Sequence, residues 1–360
     1  MSKKRKILVG MSGGIDSSVA VYLLREAGYR VVGLTLRLAD PYLDDHSKQY
    51  KVIERAAKVC EQFGIEHIVA DYTEKFRSCV VDKFADAYFS GITPNPCIEC
   101  NRFLKWDALL GIADQHDIPL VATGHYARIG KEGRTFRLLK GRDALKDQSY
   151  FLWRLQQEQL ARTVFPLGEM HKKEVIALAS GLGLPQSGQA ESQDICYIQD
   201  NDYKTFLATH YPERVRDIGP GKFIDRQGKV LGEHEGYYRY TVGQRKGLGV
   251  AAGEPLYVLE IQPENNTVIL GNRMDTEDLG CTIGDVNWML ASPPGEMFDA
   301  GVKVRYRGKI VDCRIEPLTN GHYHILFREV LHSVTPGQSA VFYDHDMVIG
   351  GGIILGKESK

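Results

Sequence analysis

Two short stretches of this 360-residue chain carry residues whose types and spacing could do chemistry. The first, Gly-Met-Ser-Gly-Gly-Ile-Asp-Ser-Ser, occupies residues 10–18 between an apolar segment and an amphipathic one. Its glycines allow backbone N–H groups to point into one concavity, and the following helix N-terminus adds positive charge. Ser12, Ser17 and Ser18 add hydroxyl donors, and Asp16 could cap the helix or help to hold Mg²⁺. We therefore predict a phosphate-binding loop, although it lacks the Lys-Ser/Thr ending of a Walker loop.

The second stretch, Thr-Pro-Asn-Pro-Cys-Ile-Glu-Cys-Asn, occupies residues 93–101. Its two prolines interrupt a helical pattern and stiffen a turn. We expect Cys100 to open the next helix, where the helix N-terminus would lower the pKa of its thiol. A redox pair, a metal-binding pair or buried structural cysteines remain alternatives. A zinc site would need two further ligands, and the sequence has no second Cys-x-x-Cys.

A further cysteine lies in Ser-Gln-Asp-Ile-Cys-Tyr-Ile, residues 192–198, which we predict to be a loop entering a short strand. By itself, Cys196 is most simply a small core residue. The other four cysteines fit structural positions on helices and strands: Cys60, Cys79, Cys281 and Cys313.

The first 125 residues alternate between strand and helix patterns, which predicts a parallel α/β sheet. The predicted strands are 7–11, 31–36, 67–70 and 120–123, and the predicted helices are 16–27, 50–63, 74–89 and 103–116. Ligands bind such sheets at the carboxyl ends of the strands. We therefore expect the residues at these ends to surround one nucleotide: Met11, Leu36, Asp71, Gly124 and His125. Leu36 could pack on adenine, and Gly124 could permit close approach to the ribose or base.

The rest of the chain divides into shorter predicted elements. A hairpin is expected over residues 126–140, a helix from the 141–152 stretch through Trp153, and another helix over 172–180. Helical signals fade after Leu207, and turn-rich short strands predict two β modules. The expected domains are residues 1–207, 208–275 and 276–360. In residues 302–307, alternation predicts a strand that presents basic Lys303, Arg305 and Arg307 on one face, either to solvent or to an RNA backbone.

Composition limits the class of protein. With 43% hydrophobic and 25% charged residues, the chain should be globular, and its seven cysteines are too few for a disulfide scaffold. No secretory leader pattern or membrane-spanning apolar run is evident, so we expect a cytoplasmic protein without a membrane partner. A net charge of −1 gives no global sign of a nucleic-acid partner, although a local basic face would suffice.

Four motifs in order resemble those of the bacterial tRNA-specific 2-thiouridylases, which belong to the PP-loop ATP pyrophosphatases. They are residues 12–18, 93–101 and 192–198, together with Lys-Asp-Gln-Ser-Tyr-Phe-Leu at 146–152. The resemblance implies a PP-loop domain, a small central domain and a C-terminal β-barrel. It implies ATP- and Mg²⁺-dependent 2-thiolation of the wobble uridine of tRNAs for Lys, Glu and Gln. A cysteine desulfurase or a sulfur-relay protein would supply the sulfur.

The resemblance also implies roles for individual residues. ATP contacts match Gly10, Met11, Ser12, Gly13, Gly14, Ile15, Asp16, Ser17, Leu36 and Gly124. Cys100 matches the nucleophile and Cys196 the persulfide carrier, and these two could form a disulfide during turnover. Target-base contacts match Asn95, Pro96 and Cys97. Contacts with tRNA match His125, Lys146, Asp147, Gln148, Arg305, Tyr306 and Gln338.

Cys97 departs from the family pattern, in which well-known members have Asp at this position. The departure creates a trio of Cys97, Cys100 and Cys196, which could instead hold a [4Fe–4S] cluster with one open iron. Another PP-loop synthetase and a nucleotide-gated RNA-binding module that has lost its chemistry are the rival functions. Pyrophosphate release that depends on tRNA would distinguish them from a thiouridylase.

Overall fold

The computed structural model describes residues 5–38, 46–184, 195–290 and 294–359. In chain order, the strands are β1 Lys6–Gly10, β2 Arg30–Arg37, β3 Glu66–Asp71, β4 Leu120–Ala122, β5 Ala127–Glu132, β6 Thr135–Lys140, β7 Thr163–Val164, β8 Gly221–Ile224, β9 Val230–His234, β10 Tyr257–Gln262, β11 Thr267–Gly271, β12 Glu277–Trp288, β13 Phe298–Lys303, β14 Val311–Pro317, β15 Tyr323–His332, β16 Ser339–Asp344 and β17 Met347–Ser359. The α-helices are α1 Ile15–Glu26, α2 His46–Gln62, α3 Thr73–Phe76, α4 Asp82–Phe89, α5 Pro96–Cys100, α6 Trp106–Gln115, α7 Gln157–Arg162, α8 Lys172–Gly181, α9 Tyr203–His210 and α10 Pro212–Ile218.

The chain folds into two compact units. Unit 1 contains Met1–Val80, Cys97–Gln193 and Asp346–Val348, and unit 2 contains Val81–Pro96, Asp194–His345 and Ile349–Lys360. No helix in the described ranges has the length and apolarity needed to cross a bilayer.

Unit 1 is built on a parallel sheet with strand order β3-β2-β1-β4-β7. Successive side chains of β1 alternate between two apolar layers, because side chains along a strand point to opposite faces. Ile7 and Val9 belong to a core that includes Val19 of α1, whereas Leu8 packs in a core with Ile112 of α6. Both faces of the sheet are therefore covered by helices, which confirms the predicted α/β fold.

The strand order places the functional loops of unit 1. The chain proceeds outward from β1 to β2 and β3, then returns to place β4 on the other side of β1. The loops after β1 and β4 therefore flank the position where the order reverses, which is where open parallel sheets bind ligands. A Cβ on Gly124, in the loop after β4, would lie 2.8 Å from the Ser17 backbone nitrogen. Only glycine permits this approach.

Several predicted elements of unit 1 differ from the structure. The hairpin of β5 and β6 is confirmed, but the helix expected from the 141–152 stretch is wrong. The buried carboxylate of Asp147 accepts bonds from Gly141 N, Ser149 N and Ser149 Oγ, at 2.9, 3.1 and 2.9 Å. These bonds stabilise a turn that competes with a helix, and only a 3₁₀ turn, Ser149–Phe151, follows.

Two predicted long helices are interrupted by wider π turns. Arg77–Val81 interrupts the helix expected over 74–89, and Asn101–Lys105 precedes α6. Both turns change which side chains face inward, and such turns recur at functional sites.

Unit 2 contains helices that the sequence pattern did not predict. α9 extends beyond Leu207, and Asp202 caps it by accepting a bond from Thr205 N at 3.1 Å. Apolar rings hold these helices, since Phe206 lies edge-on to Phe84 of α4 at 6.4 Å. Residues 195–198 form a turn rather than the predicted short strand, with Ile198 N donating to Ile195 O. Ser192, Gln193 and Asp194 of that motif lie outside the described residues.

The β-rich part of unit 2 comprises a four-stranded sheet, β10-β11-β8-β9, and a closed six-stranded barrel. The barrel order is β12-β15-β14-β13-β16-β17, and β12 closes the barrel by pairing with β17. Val311, Cys313 and Ile315 alternate into its core, as predicted for Cys313. The predicted basic strand is wrong, because β13 ends at Lys303 and a turn follows in which Gly308 N donates to Arg305 O.

Candidate functional site

The phosphate loop, residues 10–17, is held together by its own side chains. α1 begins at Ile15 with Gly14 as its N-cap, so Asp16 does not cap the helix as one prediction supposed. The Ser17 and Ser18 hydroxyls donate to Gly14 O at 3.1 and 2.9 Å, and Ser12 N donates to Ser17 Oγ at 3.2 Å. The serines therefore shape the loop around the positive end of the helix, which suits an anion.

Gly13 makes the loop conformation possible. Its φ of +66° is one that L side chains rarely adopt, and a Cβ would lie 2.7 Å from Val52 O. Gly14 is extended, and a Cβ there would meet only Ser12 Oγ, at 3.5 Å. Of the two adjacent glycines, the first is thus the one that the backbone requires.

Asp16 lies in an ion pair that the sequence analysis missed. Lys172 Nζ, from the first turn of α8, lies 2.8 Å from both Asp16 carboxylate oxygens. The hydroxyl of Tyr126 donates to Asp16 Oδ1 at 2.8 Å. Because Lys172 bonds to both carboxylate oxygens, Asp16 can hold Mg²⁺ only when this ion pair opens. The two basic residues at the start of the predicted 172–180 helix were visible in the sequence, but not their neighbour 156 residues away.

The predicted nucleotide contacts lie at the expected ends of the strands. Met11 is buried, and its N–H donates to Leu34 O at 2.7 Å, continuing the sheet beyond β1. Leu36 is half-buried near the end of β2, opposite Ala70 of β3. Asp71 ends β3, and its carboxylate caps the following turn by accepting a bond from Thr73 N.

His125 follows β4 and is held by aromatic neighbours. Its Nδ1 lies 2.7 Å from Thr123 Oγ1, and its ring lies 5.7 Å from that of Trp106. Burial, together with the positive charge of Lys105, lowers the pKa of His125 to about 3. The imidazole is therefore neutral at physiological pH and can contact RNA only as a hydrogen-bonding or stacking group.

The cysteine turn, Pro96–Cys100, is the one-turn helix α5 that continues directly into the π turn Asn101–Lys105. Cys97 is exposed, whereas Cys100 is 7% exposed. Cys100 ends this helical turn instead of opening it, so the expected lowering of its pKa is wrong. Burial raises the pKa of the Cys100 thiol, the nearby Cys97 thiol adds to the rise, and the Lys105 charge opposes it.

Two side chains beside Cys100 are bonded to a later part of unit 1. Asn101 Nδ2 donates to Phe151 O at 3.0 Å, and Arg154 Nη1 donates to Glu99 Oε1 at 2.7 Å. Asn95 is half-buried and Pro96 is buried. The turn is thus packed against the stretch that follows the Lys-Asp-Gln motif.

Residues of the Lys-Asp-Gln motif, 146–148, form hydrogen bonds within unit 1. Gln148 Oε1 accepts from Tyr126 N at 2.9 Å, and Gln148 N donates to Tyr126 O at 2.8 Å. The Asp147 carboxylate stabilises the turn described above, and Lys146 is half-buried. Contact of these three residues with tRNA stays a prediction.

In unit 2, Gln338 holds the segment that precedes the cysteine turn. Its Nε2 donates to Thr93 O at 3.0 Å and to Pro94 O at 3.2 Å. Arg305 is exposed in the turn after β13, Tyr306 is half-buried there, and Cys196 is exposed in the 195–198 turn. Contact of Gln338, Arg305 and Tyr306 with tRNA stays a prediction. The role of Cys196 as persulfide carrier also stays a prediction.

Within the parts of the chain that the structure describes, no group of three or more His, Cys, Asp or Glu side chains is arranged to hold a metal ion. Unit 1 contributes Cys97 and Cys100 to the predicted trio, one exposed and one buried. The third cysteine of the trio, Cys196, belongs to unit 2, and a cluster on the three cysteines stays a prediction.

Three family models match consecutive parts of the chain. They are described as the tRNA methyl transferase HUP domain over residues 5–200, the tRNA methyl transferase PRC-barrel domain over 204–272, and the aminomethyltransferase beta-barrel domain over 279–354. Solved structures with a similar fold include a U34-tRNA thiolase from Methanococcus maripaludis with its [4Fe–4S] cluster, at 19% identity, 58% of this chain, 67% of that chain and a TM-score of 0.36.

Curated relatives match nearly the whole chain. The tRNA-specific 2-thiouridylase MnmA of Geotalea uraniireducens is 44% identical, covering 98% of this chain and 96% of its own length. The enzyme of the same name from Geobacter metallireducens is 45% identical over 98% and 97%, and MnmA 1 of Caldanaerobacter subterraneus is 44% identical over 98% and 99%. With this identity along the full length, the chain belongs to the tRNA-specific 2-thiouridylase MnmA family.

Proposed function

We propose that this protein uses ATP to replace the C2 oxygen of the wobble uridine in tRNAs for Lys, Glu and Gln with sulfur. The observation that carries the proposal is the presence, within unit 1, of both a glycine- and serine-rich loop at residues 10–17 and the two cysteines of the turn, Cys97 and Cys100. An amide-forming PP-loop synthetase has no need of the cysteines. The intact loop serines, Asp16 and both cysteines argue against a nucleotide-gated RNA-binding module that has lost its chemistry. The names of the full-length relatives support the same reaction.

The first step activates a poor leaving group. Uridine O2 attacks the α-phosphorus of ATP, the bond to the bridging oxygen breaks, and pyrophosphate leaves. The proposed ATP contacts are Gly10, Met11, Ser12, Gly13, Gly14, Ile15, Asp16, Ser17, Leu36 and Gly124. The loop N–H groups and the α1 N-terminus stabilise negative charge on the phosphates as it moves. Asp16 would hold Mg²⁺, which supplies further charge stabilisation when bound.

The second step delivers sulfur. In the persulfide route, the terminal sulfur on Cys196 attacks C2 of the adenylated uridine, and AMP leaves. The Cys100 thiolate then attacks Cys196 Sγ, which breaks the S–S bond, frees the 2-thiouridine and leaves a Cys100–Cys196 disulfide. Alternatively, Cys100 attacks the Cys196 persulfide and releases hydrosulfide as the nucleophile, leaving a Cys100–Cys196 disulfide that a reductant must open. Burial raises the pKa of the Cys100 thiol and so disfavours the thiolate that this step requires.

A [4Fe–4S] cluster on Cys97, Cys100 and Cys196 is the second candidate for the sulfur source. The replacement of the family's Asp by Cys97 favours it, because Cys97 supplies the third cysteine that such a cluster would need. The persulfide route needs only Cys100 and Cys196, so we retain it as the main proposal.

The proposed RNA contacts remain those implied by the resemblance. Asn95, Pro96 and Cys97 would meet the target base after it leaves the anticodon stack. His125, Lys146, Asp147, Gln148, Arg305, Tyr306 and Gln338 would contact the anticodon arm. A cysteine desulfurase or a relay protein would donate sulfur, and a tRNA substrate makes the cytoplasm the proposed location. The proposed domains are residues 1–207, 208–275 and 276–360, and the three family-model ranges support this division.

The decisive experiment begins with an anaerobic preparation and measures iron, acid-labile sulfide and thiolation of unmodified tRNA. With ATP, Mg²⁺, cysteine and a desulfurase, we expect 2-thiouridine in wobble-uridine tRNAs and pyrophosphate release that requires those tRNAs. A matched transcript with cytidine at the wobble position is the control. Pyrophosphate release without tRNA would instead identify another PP-loop synthetase, and activity that depends on about four irons per chain would select the cluster route.

A further inference from the structure

Arg154 has an environment that no assigned role explains. Its side chain is 3% exposed, yet it carries a permanent positive charge. Its Nη1 donates to Glu99 Oε1 at 2.7 Å, and its guanidinium carbon lies 5.0 Å from the Trp153 ring and 5.9 Å from the Phe103 ring. A planar guanidinium can bond a carboxylate at its edge while it packs against aromatic faces, which a lysine cannot do in the same way.

The partner of Arg154 lies inside the Cys97-x-x-Cys100 sequence. Glu99 immediately precedes Cys100, and Asn101 immediately follows it. Asn101 is 2% exposed, and its side-chain amide donates to Phe151 O at 3.0 Å. The residues on both sides of Cys100 are therefore bonded to one stretch, Phe151 to Arg154.

A buried ion pair is weak evidence for stability, because the cost of removing two charges from water offsets their attraction. Such pairs are better suited to select one conformation among several. Here the conformation is that of α5, the first turn of a helical run that continues through the π turn Asn101–Lys105 into α6. The contacts with Arg154 and Phe151 hold the residues on both sides of Cys100 in this run.

We propose that Arg154 is a positioning residue for the Cys100 nucleophile, acting through its bond to Glu99 and supported by the Asn101 bond to Phe151. The inference rests on the proposed function of Cys100. The thiol has to meet a sulfur donor or an activated base at bonding distance, and a displacement of about 1 Å can cost about 100-fold in rate.

The test compares Arg154→Met with Arg162→Met. Arg162 also belongs to unit 1 and donates to Pro119 O and Ile118 O, both at 3.1 Å, while it pairs with Asp114. We expect Arg154→Met to lower the kcat of thiolation by about 10- to 100-fold, with the KM values for ATP and tRNA within about twofold of wild type. Arg162→Met should change thermal stability without this loss of kcat.

A second readout does not depend on tRNA chemistry. Iodoacetamide labelling, resolved by mass spectrometry, reports the accessibility of Cys100 directly. Arg154→Met should label at Cys100 several-fold faster than wild type, because the turn opens more often. Faster labelling together with slower catalysis is the pattern of a misplaced nucleophile. Even if the reaction proves to be something other than thiolation, the labelling result still tests the positioning role.

Variants of Glu99 keep the proposal falsifiable if Arg154→Met does not fold. Glu99→Gln retains an acceptor for Arg154, so kcat and Cys100 labelling should stay within about threefold of wild type. Glu99→Ala should reproduce the loss of kcat and the faster labelling, and combining it with Arg154→Met should add little. A wild-type kcat and labelling rate in Glu99→Ala, or an equal loss of kcat in Arg162→Met, would overturn the proposal.

Discussion

The phosphate loop and the cysteine turn are both short polar segments that lead into a helix, yet they are stabilised differently. The bonds that shape the phosphate loop join residues three to five positions apart, such as Ser17 to Gly14 and Ser12 to Ser17. The bonds that hold the cysteine turn span 50 residues from Asn101 to Phe151 and 55 from Glu99 to Arg154. A local pattern can therefore reveal the first region but not the geometry of the second.

The phosphate loop and Cys100 also differ in their electrostatic surroundings. The loop lies at the N-terminus of α1, where the helix dipole favours an anion. Cys100 lies at the end of one helical turn and beneath the surface, so burial dominates and disfavours its thiolate. The surroundings of the loop therefore favour an anion, whereas the surroundings of Cys100 disfavour its thiolate anion.

The largest expected effect is a complete loss of thiolation without loss of pyrophosphate release. Cys100→Ser and Cys196→Ser should each abolish detectable thiolation, while tRNA-dependent pyrophosphate release persists, because neither change touches the phosphate loop. Cys79→Ser, at a half-buried position in a π turn, is the matched control. Normal 2-thiouridine formation by either variant, measured by mass spectrometry of digested tRNA, would remove that cysteine from the mechanism.

Alanine substitutions at two glycines, one in the phosphate loop and one in the loop after β4, should have the next largest effect. Gly13→Ala would place a Cβ 2.7 Å from Val52 O at φ +66°, and Gly124→Ala would place one 2.8 Å from Ser17 N. We expect the KM for ATP to rise about tenfold or more in both. Gly28→Ala is the control, since its φ is +85° but no atom lies within 4 Å of the added Cβ. It should cost about 1–2 kcal/mol in stability and leave the KM unchanged.

A smaller effect should follow removal of the Lys105 charge. Lys105 opposes the rise in the pKa of Cys100, so Lys105→Gln should raise that pKa further and slow iodoacetamide labelling of Cys100 at a fixed pH near 8, by about two- to fivefold. The same variant should raise the pKa of His125, which the Lys105 charge lowers, and NMR titration can follow this. Lys75→Gln, an exposed lysine paired with Asp107, is the control. An unchanged labelling profile would show that burial alone sets the reactivity of Cys100.

The smallest effect should come from the turn after β13, which is separate in sequence from the phosphate loop and the cysteine turn. Replacing Arg305 and Arg307 with Gln should weaken tRNA binding and reduce the slope of log affinity against log salt by about 2, if each arginine meets one phosphate. Arg314→Gln is the control, because Asp299 already pairs with that arginine. An unchanged salt slope would exclude the exposed turn after β13 from RNA binding, whereas unchanged pyrophosphate release at saturating tRNA would leave both reactive regions intact.

Several sequence predictions failed for identifiable reasons. The alternation in residues 302–307 satisfied a strand pattern, but β13 ends at Lys303 because a turn intervenes. The polar 141–152 stretch suggested a helix start, but the Asp147 carboxylate accepts hydrogen bonds from Gly141 and Ser149 and stabilises a turn instead. The helical signal that faded after Leu207 missed α10, whose Pro212 stands at the first helical turn, where proline is tolerated.

The roles of Cys100 and Cys196 stay predictions that rest on the resemblance to the family. The sequence alone determined the parallel α/β sheet and the glycine- and serine-rich loop that follows β1. Those features depend on periodicity and on contacts between near neighbours along the chain, and both can be recognised in the local sequence. Only the tertiary structure decided that Lys172 pairs with Asp16, that Cys100 is buried, and that Arg154 holds the residue beside it. These features depend on groups 50 or more residues apart, and their free energies depend on burial, which no local pattern specifies.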